Sequence, residues 1–190
     1  ESDTTTYRFE YRNNLPIKYR GENKHSIWVA DYTYKGGLIA KKSTGAGGYT
    51  MWYTYDTDKQ LKEATDSTER ANFRHVFTYN GNLASTTTYT LWRTPPTKRR
   101  TEYTGYDNKV NFTRAINGLP PMFTREELQL AFTVTDNNYT SSTSYSDVTI
   151  DSDYRAPHTI NLSYDYNEEG LPTKMYGAGS VNIFEYKKYK

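Results

Sequence analysis

The sequence predicts an all-β protein: an antiparallel meander of about 12–15 strands in a strongly curved or closed, barrel-like sheet. Three observations predict it. The first is composition. Leu, Ile, Val and Phe together supply 30 of the 190 residues, while Tyr alone supplies 20. Tyr and Thr favour strands over helices. A buried aromatic removes roughly 150–250 Å² from water, so aromatics can stand in for the missing aliphatic core. The second is a repeat: an aromatic strand, a polar or glycine turn, a leucine and a polar strand. The third is strict alternation within the aromatic strands, which marks a sheet covered on one face and wet on the other.

The copies follow in order. Tyr7-Arg8-Phe9-Glu10-Tyr11 leads through Arg12-Asn13-Asn14 to Leu15. Tyr32-Thr33-Tyr34 leads through Lys35-Gly36-Gly37 to Leu38, and Tyr53-Thr54-Tyr55 through residues 56–60 to Leu61. Phe77-Thr78-Tyr79 leads through Asn80-Gly81-Asn82 to Leu83. A looser fifth copy runs from Tyr103 and Tyr106 through Asp107-Asn108-Lys109 to Val110. The last runs from Tyr164-Asp165-Tyr166 to Leu171. Successive leucines from Leu15 to Leu83 lie 23, 23 and 22 residues apart, the length of two strands and two turns. Each unit is therefore a β-hairpin. Gly36-Gly37, Asn80-Gly81, Asp107-Asn108 and Glu169-Gly170 tolerate the positive φ of tight hairpin turns.

Within strands, Tyr49, Met51, Tyr53 and Tyr55 share one face, as do Phe73, His75, Phe77 and Tyr79, and Ile160, Leu162, Tyr164 and Tyr166. The opposite faces hold Arg8, Glu10, Thr50, Thr54, Arg74 and Thr78. The returning strands are more polar, as in the run from Leu83 to Arg93 with its Thr86-Thr87-Thr88. The chain reads as one β-repeat domain over 1–190. Hairpins at about 7–113 and 158–190 flank an irregular insertion at 114–157. In that insertion Thr124 and Glu127 form a capping box ahead of Leu128, Leu130 and Ala131, which places a short helix at about 125–131. It would serve as a plug or lid on an open end of the sheet, or as a connection packed on the sheet edge. Residues 136–146 read as a polar loop.

Several classes are disfavoured. Lys and Arg number 24 against 22 acids, a net charge of +2, so strong electrostatic binding of polyanions is not expected, nor is nucleic-acid binding. The one tight basic cluster, Lys98-Arg99-Arg100, follows the Thr94-Pro95-Pro96-Thr97 turn and reads as a solubilising hairpin tip. With no cysteine there are no disulfides, thiolate metal sites or cysteine nucleophiles. No stretch approaches 18 apolar residues, so no helical membrane span is expected. A membrane barrel needs an outward apolar band, which the charged and threonine-rich faces do not provide. The opening Glu1-Ser2-Asp3 and three threonines look like a linker left after a leader is removed.

The repeat resembles the tyrosine–aspartate repeat of Rhs-type and teneurin proteins. The literal pair stands at Tyr55-Asp56, Tyr106-Asp107 and Tyr164-Asp165. More closely, it is similar to a family of exported Bacteroidetes proteins of unknown function with a porin-like fold. That likeness is carried by Tyr164-Asp165-Tyr166-Asn167-Glu168-Glu169-Gly170-Leu171-Pro172-Thr173-Lys174, the terminal Phe184-Glu185-Tyr186, Asp107-Asn108-Lys109 and Asp136-Asn137-Asn138. It implies an exported chain in the periplasm or on the cell surface, lipid-anchored through a removed N-terminal segment. It supplies no catalytic residues. It also implies a bacterial source, in which the sequons at Asn111, Asn138 and Asn161 are without meaning.

Candidate chemistry is sparse. His25, His75 and His158 are far apart and lack metal-ligand spacing, so each reads as a packed or surface histidine. Asp56/Asp58 and Asp151/Asp153 have too few ligands for a Ca²⁺ loop and read as turn caps. Glu126 and Glu127 suit a helix N-terminus better than acid–base work. The glycine-rich 43–48 lacks the lysine and helix of a phosphate loop and reads as a hairpin. No nucleophile motif occurs, so no catalytic residue, metal or cofactor is expected. The remaining candidates are Trp28, Trp52 and Trp92. Strand parity places Trp52 on the polar face, between Thr50 and Thr54, and gives Trp92 the same setting after Thr86, Thr88 and Thr90. Such tryptophans can stack on a sugar or a peptide. The expected function is a monomeric, non-catalytic module that binds a glycan or an envelope protein. The alternatives are a structural spacer whose tyrosines only hold the sheet together, and an unrecognised hydrolase.

Overall fold

The computed structural model describes residues 6–13, 15–45, 48–68, 71–111, 137–155, 157–177 and 179–183. Among these there are fourteen strands and no helix. They are β1 (Thr6–Arg12), β2 (Leu15–Glu22), β3 (Ile27–Lys35), β4 (Leu38–Thr44), β5 (Thr50–Tyr55), β6 (Leu61–Thr68), β7 (Ala71–Asn80), β8 (Asn82–Thr90), β9 (Thr97–Val110), β10 (Asn137–Thr149), β11 (Pro157–Asn161), β12 (Ser163–Tyr166), β13 (Pro172–Gly177) and β14 (Ser180–Ile183). β1 to β11 form one sheet in chain order and β12 to β14 a second, with every pairing antiparallel between sequence neighbours. The meander is as expected.

Three expectations need correction. The large sheet is open, with β1 and β11 as its edges, and neither sheet is closed or strongly curled. Closure needs a last strand that returns to the first. Here the meander breaks at Leu162, whose N–H bonds the Thr140 carbonyl at 2.8 Å, and the last three strands pair among themselves. Secondly, the expected polar loop at 136–146 is mostly strand. β10 pairs with β9 along its length, and its polar side chains bond across the ladders: Ser144 with Thr101 at 3.0 Å, Thr143 with Thr159 at 2.9 Å and Ser141 with Asn161 at 3.1 Å. Thirdly, Lys98, Arg99 and Arg100 lie inside β9 rather than at a hairpin tip. The helix expected at 125–131 lies outside the described residues.

One local feature recurs in five hairpins, those that open with an aromatic strand. The register slips by one residue between Glu10 and Tyr11, Thr33 and Tyr34, Thr54 and Tyr55, Thr78 and Tyr79, and Asp165 and Tyr166. Each slip is a β-bulge: the returning strand carries one extra residue, namely Ile17, Ala40, Lys62, Ala84 or Thr173. The extra residue flips the side chains beyond it to the other face. In β4, for example, Ile39 and Lys42 are both buried although three residues apart.

The bulges also open a seam between hairpins. The β2–β3, β4–β5, β6–β7 and β8–β9 ladders stop at Lys18–Asp31, Lys41–Trp52, Glu63–Val76 and Ser85–Glu102. Beyond those rungs the carbonyls near each leucine have no ladder partner, and a buried carbonyl needs one. Tyrosines supply it. Tyr34 donates to the Pro16 carbonyl at 2.6 Å, Tyr55 to Ile39 at 3.0 Å, Tyr79 to Leu61 at 2.9 Å and Tyr106 to Leu83 at 2.5 Å. Tyr164 donates to the Tyr139 carbonyl at 2.9 Å and ties the small sheet to the large one.

The remaining inward residues form the core: Tyr19, Ala30, Tyr32, Ile39, Met51, Tyr53, Leu61, Ala64, Phe77, Leu83, Tyr103 and Tyr139. Gly21 faces Trp28 across β2 and β3, and a Cβ at Gly21 would fall 2.3 Å from the indole. The glycine thus makes room for the ring.

The phenols differ in what their hydroxyls do, and this is testable. Tyr55→Phe removes one seam bond and should cost about 1 kcal/mol in urea unfolding. The Tyr32 hydroxyl is buried with no hydrogen-bond partner among the described residues. Tyr32→Phe should therefore be neutral or stabilising, because it removes a buried polar atom without breaking a bond. Equal losses from both variants would argue against the seam. A second test is Gly21→Ala, which should displace Trp28 and shift its fluorescence, with a stability loss of about 1–3 kcal/mol from overpacking.

Candidate binding surface

The two faces of the large sheet differ sharply. Strand pairing puts Lys41, Trp52, Thr65, Arg74, Tyr89 and Lys98 directly opposite one another on six consecutive strands, β4 to β9. Alternation places this row on the face away from the core: Met51 and Tyr53 are buried while Trp52 between them is 43% exposed. At a strand spacing of about 4.8 Å the row is about 24 Å long. Its aromatics carry cations. The Arg74 guanidinium lies 5.8 Å from the Tyr89 ring and the Lys98 ammonium 4.9 Å from the Tyr154 ring. Tyr154 in turn packs against Tyr145 at 5.6 Å.

The next row, from Thr54 through Glu63, Val76 and Thr87 to Arg100, carries one acid. Glu63 is engaged by Arg74 through Nε at 2.9 Å and a terminal nitrogen at 2.7 Å. Arg100 pairs with Glu102 at 3.1 Å. Among the described residues no ion pair involves Lys41 or Lys98. At the other end of the sheet, on β1 to β3, the charges pair off: Arg8 with Glu22 at 2.9 Å, Arg20 with Glu22 at 3.1 Å, and Lys18 with Asp31 at 3.8 Å.

The three tryptophans do not share a patch. Trp28 lies on the core face, half-buried against Gly21 and the hydrophobic cluster. Trp52 lies on the outer face, as parity predicts. Trp92 is 52% exposed but sits in the turn after β8, its ring 5.6 Å from the Arg93 guanidinium. The threonines before it were expected on the outer face. Thr86, Thr88 and Thr90 are instead buried, because the bulge at Ala84 reverses the parity of β8. They bond inward: Thr88 meets His75 Nδ1 at 3.0 Å, and Thr86 meets the Tyr103 hydroxyl at 3.5 Å.

The core face also holds charge that the sequence pattern did not reveal. Lys42, Met51, Asp66 and Phe73 are cross-strand partners, and Lys42 and Asp66 are fully buried. The Lys42 ammonium sits 5.1 Å from the Tyr19 ring and 5.5 Å from that of Tyr49, and burial pushes its pKa down to about 8. Burial, with the nearby Arg99, pushes His75 down to about 4. Asp56 behaves as a turn cap, accepting from the N–H groups of Asp58 at 2.9 Å and Gln60 at 2.8 Å. At the far end, Asp107 accepts from the Lys109 N–H at 3.0 Å and the Asn138 N–H at 3.3 Å, and it bonds the Tyr166 hydroxyl. Its carboxylate is thus committed to joining β9, β10 and β12. The described residues contain no group of three or more His, Cys, Asp or Glu placed to hold a metal.

No protein-family model and no curated protein sequence matches the chain. Among solved structures it is similar to a porin-like protein from Bacteroides uniformis, with a TM-score of 0.52 and 13% identity over 96% of this chain and 74% of that one. The likeness is one of fold. No helix among the described residues is long and apolar enough to cross a membrane.

The buried histidine makes the core acid-sensitive. In the unfolded chain His75 titrates near 6.5, and in the fold near 4. Between those values the unfolded state binds more protons, so stability falls as pH drops through this window and levels off below it. The full effect is on the order of 3 kcal/mol. His75→Gln keeps a partner for Thr88 and should flatten that part of the urea midpoint–pH profile. An unchanged slope would mean that other groups dominate.

Proposed function

We propose that the chain is a non-catalytic glycan-binding module of an exported or surface-anchored envelope protein, and that the outer-face row is its binding surface. One observation carries this reading. Trp52 is a large indole, 43% exposed on a wet β-face, with Lys41 and Thr65 as its cross-strand neighbours and no packing role in the core. A rigid aromatic face suits the C–H-lined face of a pyranose, and flanking hydroxyls and cations can bond its hydroxyls. Such aromatics carry disproportionate binding energy because they lose little entropy on contact. The porin-like fold of the Bacteroides uniformis protein supports placing the chain at the envelope.

The competing reading is a spacer with no ligand. It is favoured by the seam, which commits the hydroxyls of Tyr34, Tyr55, Tyr79, Tyr106 and Tyr164 to backbone carbonyls. That accounts for the seam tyrosines and leaves Trp52 unexplained.

A glycan array probed with the purified chain and with Trp52→Ala separates the two. The binding reading expects signals that fall at least about tenfold in the variant, a loss of roughly 1.4 kcal/mol, while the urea midpoint stays put. A blank array, or a variant that loses stability instead, favours the spacer.

A further inference from the structure

Resting on the glycan-binding reading of the outer face, we infer that the ligand class is an acidic polysaccharide, one bearing carboxylate or sulfate groups. The reason is the way strand pairing sorts charge. Net charge is only +2, and the chain as a whole is no polyanion binder by composition. Register nevertheless brings Lys41, Arg74 and Lys98, far apart in sequence, onto one line with Trp52 and Tyr89. No acid stands in that line. Of the acids in the two flanking rows, Glu63 is held by Arg74 and Asp31 by Lys18, whereas Lys41 and Lys98 form no ion pair among the described residues.

The contrast with β1 to β3 makes the sorting meaningful. There Arg8, Lys18 and Arg20 each have an acidic neighbour on the same face, as a merely solubilising surface would. In the Trp52 row only Arg74 is so paired, and Lys41 and Lys98 stand opposite the aromatics Trp52 and Tyr89 instead. This spacing lets a sugar ring lie on Trp52 while acidic substituents along the chain reach Lys41 and Lys98. Neutral glycans would use the aromatics alone and leave the cations solvated. A nucleic acid would also be drawn to the cations. Yet the row is one residue wide and holds three cations, short of the broad basic surface that phosphate backbones select.

The test is titration calorimetry of the purified chain against four probes: oligogalacturonate, a heparin oligosaccharide, neutral dextran and a single-stranded DNA 12-mer. At least one acidic saccharide should bind, weakening about tenfold between roughly 50 and 300 mM NaCl as the Debye length shrinks. The double variant Lys41→Gln/Lys98→Gln should lose about tenfold in acidic-saccharide affinity with an unchanged circular dichroism spectrum. Trp52→Ala should lose a similar factor.

Dextran binding as tightly as the acidic probes, with the lysine variant unaffected, would overturn the inference and leave the glycan-binding reading standing. DNA binding as tightly as the saccharides, insensitive to Trp52→Ala, would overturn it as charge attraction alone. If no saccharide binds at all, both readings fail.

Discussion

The fold hangs on a bond between a phenol and a main-chain carbonyl. Each repeat hairpin from β1–β2 to β7–β8 contains a bulge near its turn, and the ladder to the next hairpin stops beside it. A sheet with such gaps would leave carbonyls dry and unbonded at regular intervals. The tyrosine at the end of each aromatic strand crosses the gap and donates to the carbonyl exposed there. Phenylalanine could fill the same volume but could not close the gap. This explains why Tyr34, Tyr55, Tyr79, Tyr106 and Tyr164 are tyrosines and not phenylalanines. The tyrosines act partly as core and partly as substitute rungs of the ladder.

The same bulges determine what each face contains. By adding one residue to the return strand they turn its polar alternation around. Threonines of β8 and the lysine at 42 go inward, while Lys41, Tyr89 and Lys98 come out. The inner face therefore tolerates unusual polarity, with hydroxyls that bond one another and a buried ammonium set among aromatic rings. Cation–π contact offsets part of the cost of taking that ammonium out of water. The outer face acquires its mixed cationic and aromatic row as the other half of the same geometry.

Much of this was legible in the chain. The repeat of near-constant length and the glycine-bearing turns give the meander, and alternation gives the covered face of each aromatic strand. Trp52 was correctly placed on the outside by parity. The errors share a physical origin. Parity carried through a turn holds only for a regular hairpin, and on that basis it points Thr86, Thr88 and Thr90 outward with Trp92 as their neighbour on a strand. A bulge leaves no composition signal of its own. Its trace is the odd residue between leucine and the polar strand, visible only by comparing copies. Register across strands is likewise invisible in one dimension. Lys41, Arg74 and Lys98 become neighbours only once the ladders are known. Closure was inferred from the tendency of long sheets to curl, and the break at Leu162 overrode it.

Strand order that never departs from chain order gives this protein the thermodynamics of a stack. Each hairpin touches the one before and the one after, so stability is close to a sum of unit and interface contributions. Contacts are local, so forming one hairpin costs little loop entropy and templates the next. A lineage built this way can lengthen or shorten by whole hairpins without redesigning its core, because a new unit brings its own tyrosine to the next seam. The outer-face row lengthens with it, by two strands at a time.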